Sequence, residues 1–122
     1  MDTPDTLAAD LLKAAGEAIV ATRAVVQKGA LNIKQGAKAN VLKSAPINNA
    51  HAHHAITYDT TVGATAIEAE IGYDRDKRGG KLGNILEYGT RNNPPHRDLG
   101  RALDAEEDAF KVNLAAVAAR LL

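Results

Sequence analysis

The chain has 122 residues, which suits one domain. Aromatics make up 3% of it and alanine supplies much of the 45% apolar fraction; at ~25 cal/mol per Å² buried this is thin core material, so oligomerisation is expected to supply part of the stability. Lys+Arg (15) balances Asp+Glu (15), against a dedicated nucleic-acid binder; the absence of Cys excludes disulfides and thiolate zinc sites, and no apolar run approaches the ~20 residues that span a bilayer.

Met1-Asp2-Thr3-Pro4-Asp5 is acidic and polar where a secretory signal would be basic and then apolar, which predicts a soluble protein made in a cytoplasm. Thr3-Pro4-Asp5 also reads as a helix start: Thr3 accepts from free N–H groups, Pro4 fits the first turn, and Asp5 suits the positive end of the dipole. Leu7, Leu11, Ala14, Ala18, Ala21 and Val25 recur at three- and four-residue spacing. The phase then steps by one to Val26, Ala30, Ile33, Ala37 and Val41. This predicts one long helix over about 4–43, bent or broken near Gly29, where glycine costs up to ~1 kcal/mol. Ser44-Ala45-Pro46 ends it, because the residue before proline avoids the α region.

Residues 47–54 read as a linker. Ile56, Tyr58, Thr60 and Val62 alternate with Thr57, Asp59 and Thr61. Ile67, Ala69, Ile71 and Tyr73 alternate with Glu68, Glu70 and Gly72. With Gly63-Ala64 as the turn, these predict a hairpin over about 55–73 with one wet face. Residues 74–83 are charged and Gly-rich and read as a mobile loop; 84–88 read as a short third strand. Asp98 is placed to cap a last helix, about 98–121, with Leu99, Leu103, Phe110, Leu114, Val117 and Leu121 on one face. Its acids cluster in the first half and Arg120 lies near its end, as the dipole prefers. The expected fold is α+β: a long N-terminal helix and a C-terminal helix packed on one face of a small antiparallel sheet, in a single domain covering 1–122.

Several groupings invite chemistry. His51, His53, His54 and the distant His96 are potential ligands, but no HExxH-type spacing accompanies them and no metal or other cofactor is expected. Glu68 and Glu70 share one side of a strand on its solvent face, with no cleft implied for acid–base work. No nucleophile–base pair stands out, so no enzyme is expected. Arg23, Lys28, Lys34, Lys38 and Lys43 occur with no acid between them, and Arg23, Lys34 and Lys38 fall within ~60° on a helical wheel. That stripe is a candidate face for DNA in a channel or for an acidic partner. Arg75, Lys77, Arg78 and Lys81 flank Gly79-Gly80 without forming a P-loop, and form a candidate contact with a neighbour. After Tyr88, Gly89 can take φ > 0 and reverse the chain toward the stiff Pro94-Pro95, setting the launch of the last helix.

The run Ile85-Leu86-Glu87-Tyr88-Gly89-Thr90 is similar to the "Tyr-Val-Glu-Phe-Gly-Thr" motif of a phage family, the small tail-component or tail-completion proteins of long, flexible-tailed phages. Ala37-Lys38-Ala39 through Ala45-Pro46 resembles that family's helix end. Pro94-Pro95, Leu99 and Ala102-Leu103 resemble the approach to its final helix. The chain departs from the pattern at Asn48–His54, where the family usually has Thr-Gly-x-Leu, and at Arg101, where it usually has Pro. The resemblance implies a virion structural protein of the neck or proximal tail, assembled in the host cytoplasm. It implies a homo-oligomeric ring, roughly six- or twelve-fold, around the DNA channel, contacting neighbouring neck proteins and the tail tube protein, with non-specific contact to packaged DNA and no membrane. Leu86 and Tyr88, on the edge of the third strand, join loop 74–83 as expected interface residues. The alternative is a small cytoplasmic DNA- or protein-binding module that uses the basic stripe.

Overall fold

Pro4–Ser44 form one continuous helix, α1, about 61 Å long at ~1.5 Å per residue. The computed structural model describes residues 4–44, 50–63, 66–91 and 94–121. The expected Thr3 start, the Ala45-Pro46 stop, the linker to residue 49 and Ala64 of the turn lie outside those residues. Gly29 does not break α1. It gives close approach: a Cβ there would stand 3.0 Å from Phe110 Cδ2 of the last helix, α3 (Asp98–Leu121). A Cβ on Gly36 would lie 3.4 Å from that of Ala102. Asn32 donates to Glu106 at 3.1 Å, and Asn40 donates to the Asp98 carbonyl at 3.0 Å. Ascending contacts on one helix thus meet descending contacts on the other, so α1 and α3 run antiparallel, and small residues at the seam bring their backbones together.

Ile56–Val62 (β1) and Ile67–Tyr73 (β2) pair antiparallel, from Ile56 opposite Tyr73 to Val62 opposite Ile67. On β2 the alternation decides the faces. Glu68 and Glu70 are exposed, while Ile67, Ala69 and Ile71 are half-buried and Tyr73 is buried. The α+β expectation holds: the two long helices pack together and the sheet lies against α1. The core joins Ala37 and Val41 of α1, Ile56 and Tyr73 of the hairpin, Leu86, and Ala102 of α3. Ala52 and Ala55 complete it from a 3-10 helix, Ala50–Ala55, which occupies the end of the expected linker.

Two expectations fail between the hairpin and α3. Residues 74–83 are not one loop, and 84–88 are not a strand: Gly80–Tyr88 form a helix, α2. The turns before it are specified in detail. Asp74 N–H donates to the Ala55 carbonyl at 2.7 Å, Asp76 N–H to the Asp74 carboxylate at 2.9 Å, and Lys77 N–H to the Asp74 carbonyl at 3.1 Å. Gly79 then takes φ 83°, open to glycine without strain, and α2 starts behind it. Gly80, Gly83, Leu86 and Glu87 are its buried positions, a helical spacing that overrides the short apolar run at 85–86. Gly83 lets the Tyr73 ring lie directly on the helix, for any Cβ there would overlap the ring.

Candidate functional site

The residues with the densest polar connections meet where α1 ends, α2 ends and α3 begins. Gly89 sits at φ 76°, as a reversal requires, and closes α2 by donating to the Ile85 carbonyl at 2.8 Å. The returning chain is stitched back onto α2: His96 N–H donates to the Leu86 carbonyl at 2.7 Å and Arg97 N–H to the Glu87 carbonyl at 3.3 Å. Arg97 occupies the left-handed region at φ 54°, and its carbonyl accepts the first helical bond of α3, from Arg101 N–H at 2.8 Å.

The expected capping role of Asp98 passes to Glu87. Asp98 is already the first helical residue. The buried Glu87 carboxylate reaches across from α2 to the free N–H groups of α3, accepting from Leu99 at 2.6 Å and Gly100 at 3.3 Å. The Asp98 side chain is fully buried and serves the other helix. Ser44 Oγ, at the end of α1, donates to its carboxylate from 3.0 Å, and Arg101 Nη2 donates to it at 2.7 Å. With its proton committed to Asp98, the Ser44 oxygen accepts from His96 Nδ1 at 3.1 Å. Both carboxylates are therefore held in structural bonds. The Tyr73 hydroxyl is buried beside them with no hydrogen-bond partner among the described residues. Burial above all, then the charges of Asp98 and Glu87, push its pKa well above the ordinary tyrosine value.

A groove of about 480 Å³ opens beside this junction, lined by Ile33, Ile71, Tyr88, Pro95, Leu99 and Leu103 with Glu87 and Arg97. Its walls are chiefly apolar, which suits packing rather than proton transfer.

The sequence-expected site residues divide. Leu86 and Tyr88 do not share a strand edge: both lie on α2, where Leu86 is 8% exposed in the core and Tyr88 is 78% exposed at the groove. Arg75, Lys77, Arg78 and Lys81 are all exposed, on turns and the first turn of α2. Arg23 is exposed, while Lys34 and Lys38 are half-buried, and the Lys34 ammonium lies 5.5 Å from the centre of the Tyr58 ring on β1. One of the three cations proposed for DNA is thus turned toward the hairpin. Pro94 and Pro95 are exposed ahead of α3.

His96 serves the junction, while the His53 and His54 rings meet tilted at 39° with centroids 3.8 Å apart. The His51 side chain lies outside the described residues, and among those described no three His, Cys, Asp or Glu gather as metal ligands. Sequence reasoning did not bring together the half-buried Ser44 with the buried Tyr73 and Asp98. Their available signal was modest: a serine in the last turn of one helix and an acid at the first of another. No family model matches the chain, and neither a curated protein nor a solved structure matches it.

Proposed function

We propose that this chain is a virion structural protein of a long-tailed phage, a ring-forming subunit of the neck or proximal tail that completes the tail or joins head to tail. It acts by assembly rather than by catalysis. The observation that carries the reading is the placement of large apolar side chains. Alanine fills much of the core, while Leu12, Ile19, Val20, Leu42, Leu103 and Val112 stand exposed along the two long helices. A helix pair that leaves so many large apolar side chains exposed gains from a partner surface. The two-stranded sheet adds to this, since so small a sheet is marginal alone and pairs with no third strand among the described residues. The resemblance in residues 85–103 supports the same reading, because Glu87 and Gly89 fix the start of α3.

In this reading the subunit forms a roughly six- or twelve-fold ring in the virion, contacting neighbouring neck proteins and the tail tube protein, with the exposed Arg23 available to packaged DNA. The test is co-assembly. The purified chain is mixed with portal-side and tail tube proteins of a long-tailed phage that carries it, and the products are imaged. Rings stacked on portal or tube support the proposal. Failure to co-sediment with either, together with wild-type yield of joined particles from a phage lacking the chain, contradicts it.

A further inference from the structure

Charge is segregated between the two long helices. No acid lies between Glu17 and Asp59, a stretch that holds the five cations Arg23, Lys28, Lys34, Lys38 and Lys43. No cation lies between Arg101 and Lys111, a stretch that holds Asp104, Glu106, Glu107 and Asp108. No ion pair joins the two stretches among the described residues.

Each stretch also exposes an apolar line. On α1, Val20, Leu31 and Leu42 recur every eleven residues and drift only about 20° per step, so they run straight down the helix. All three are exposed, Val20 at 70%. Lys28 and Lys38 fall within about 60° of Leu31. The residues of α1 that meet α3 (Gly29, Asn32, Gly36 and Asn40) lie on another side, about 100° or more from Leu31. On α3, Leu103 and Leu114 show the same eleven-residue interval and are both exposed, Leu103 at 54%. Glu107 and Asp104 lie within about 80° of Leu114. Their own contacts are surface bridges, Glu107 with Lys111 at 3.0 Å and Asp104 with Arg97 at 3.9 Å, of the kind that exchange at little cost.

We infer that the basic flank of α1 in one copy docks on the acidic flank of α3 in the next copy, leucine line against leucine line. The occupant is a second copy because opposite charges and matched apolar lines are both carried by this one chain, the α1 line facing away from the α1–α3 seam and the α3 line beside it, within about 40° of the seam residue Phe110. The contact is heterologous: each copy keeps one flank of each sign unsatisfied until a ring closes. This inference rests on the self-assembly proposed above and names its interface.

Two charge-reversed variants test it, Lys28→Glu with Lys38→Glu and Asp104→Lys with Glu107→Lys, each checked for folding by circular dichroism. Alone, each variant sets like charges across the contact and weakens self-association by about a hundredfold or more. Mixed in equal amounts they restore it, since every contact then pairs opposite signs. Wild-type association of either variant alone, or a mixture that stays dissociated, overturns the inference while the assembly of the unaltered chain stands. An unaltered chain that stays monomeric, alone and with its neck partners, fails at the level of the proposed function itself.

Discussion

The Glu87 carboxylate accepts the Leu99 amide at 2.6 Å, so the last residues of α2 cap the helix that follows. This bond explains why an acid precedes Tyr88-Gly89. The capping group is supplied twelve residues before the amide it satisfies, across a chain reversal. Replacing Glu87 by Ala leaves two N–H groups at the head of α3 without their acceptor and should cost about 2–3 kcal/mol in urea unfolding. Glu87→Gln keeps an oxygen acceptor and should cost less. Equal stability of wild type and Glu87→Ala would remove the cap from the account.

Glycines separate packing from propensity. Gly16 has open space where a Cβ would stand, so Gly16→Ala should stabilise α1 by about 0.5–1 kcal/mol. Gly83→Ala gains the same propensity but drives a methyl into the Tyr73 ring, with an expected net loss of about 1–2 kcal/mol. Thermal melts of the pair should therefore move in opposite directions.

Leu86 and Tyr88 should behave oppositely as well. Leu86→Ala opens a hole in the core and should cost about 2–4 kcal/mol. Tyr88→Ala removes an exposed ring and should change stability by about 0.5 kcal/mol or less. Chemical denaturation of the two variants checks this, and similar losses would favour the strand-edge placement over the helix.

Tyr73 predicts an alkaline limit. Its folded pKa is raised, so the folded state holds the phenolic proton more tightly than the unfolded chain does. The stability this represents is complete below the unfolded value of about 10 and is lost as pH climbs above it. Tyr73→Phe should flatten that part of the stability–pH curve and leave the neutral-pH fold intact, since the hydroxyl has no partner among the described residues. An unchanged alkaline slope in the variant would contradict the assignment.

Much of this architecture was legible because period and punctuation agreed. The apolar spacing from Leu7 to Val41 and the proline at 46 marked α1; strict alternation from Ile67 to Tyr73 marked β2; the acids near Asp98 and Arg120 marked both ends of α3. The stretch before α3 was misread because Ile85-Leu86 is too short to show a period, and three glycines, Gly79, Gly80 and Gly83, suggested a loop. In the fold they serve close packing: Gly79 supplies the left-handed turn, and Gly80 and Gly83 let α2 press against Asp74 and Tyr73. Leu86 and Tyr88 parted with the change of element, since residues two apart share one face of a strand but stand ~200° apart on a helix. The Ser44–Asp98 contact joins residues 54 apart in sequence and depends on how α1 and α3 align, which no local pattern encodes.

The most direct test of self-assembly is the solution mass of the unaltered chain, measured by light scattering over a range of concentrations, with negative-stain imaging of the same sample. The account predicts a closed species of roughly six or twelve times the 12.8 kDa subunit, seen as rings, formed by the chain alone or once a neck partner is added. A species that stays at 12.8 kDa throughout, with and without those partners, would contradict it.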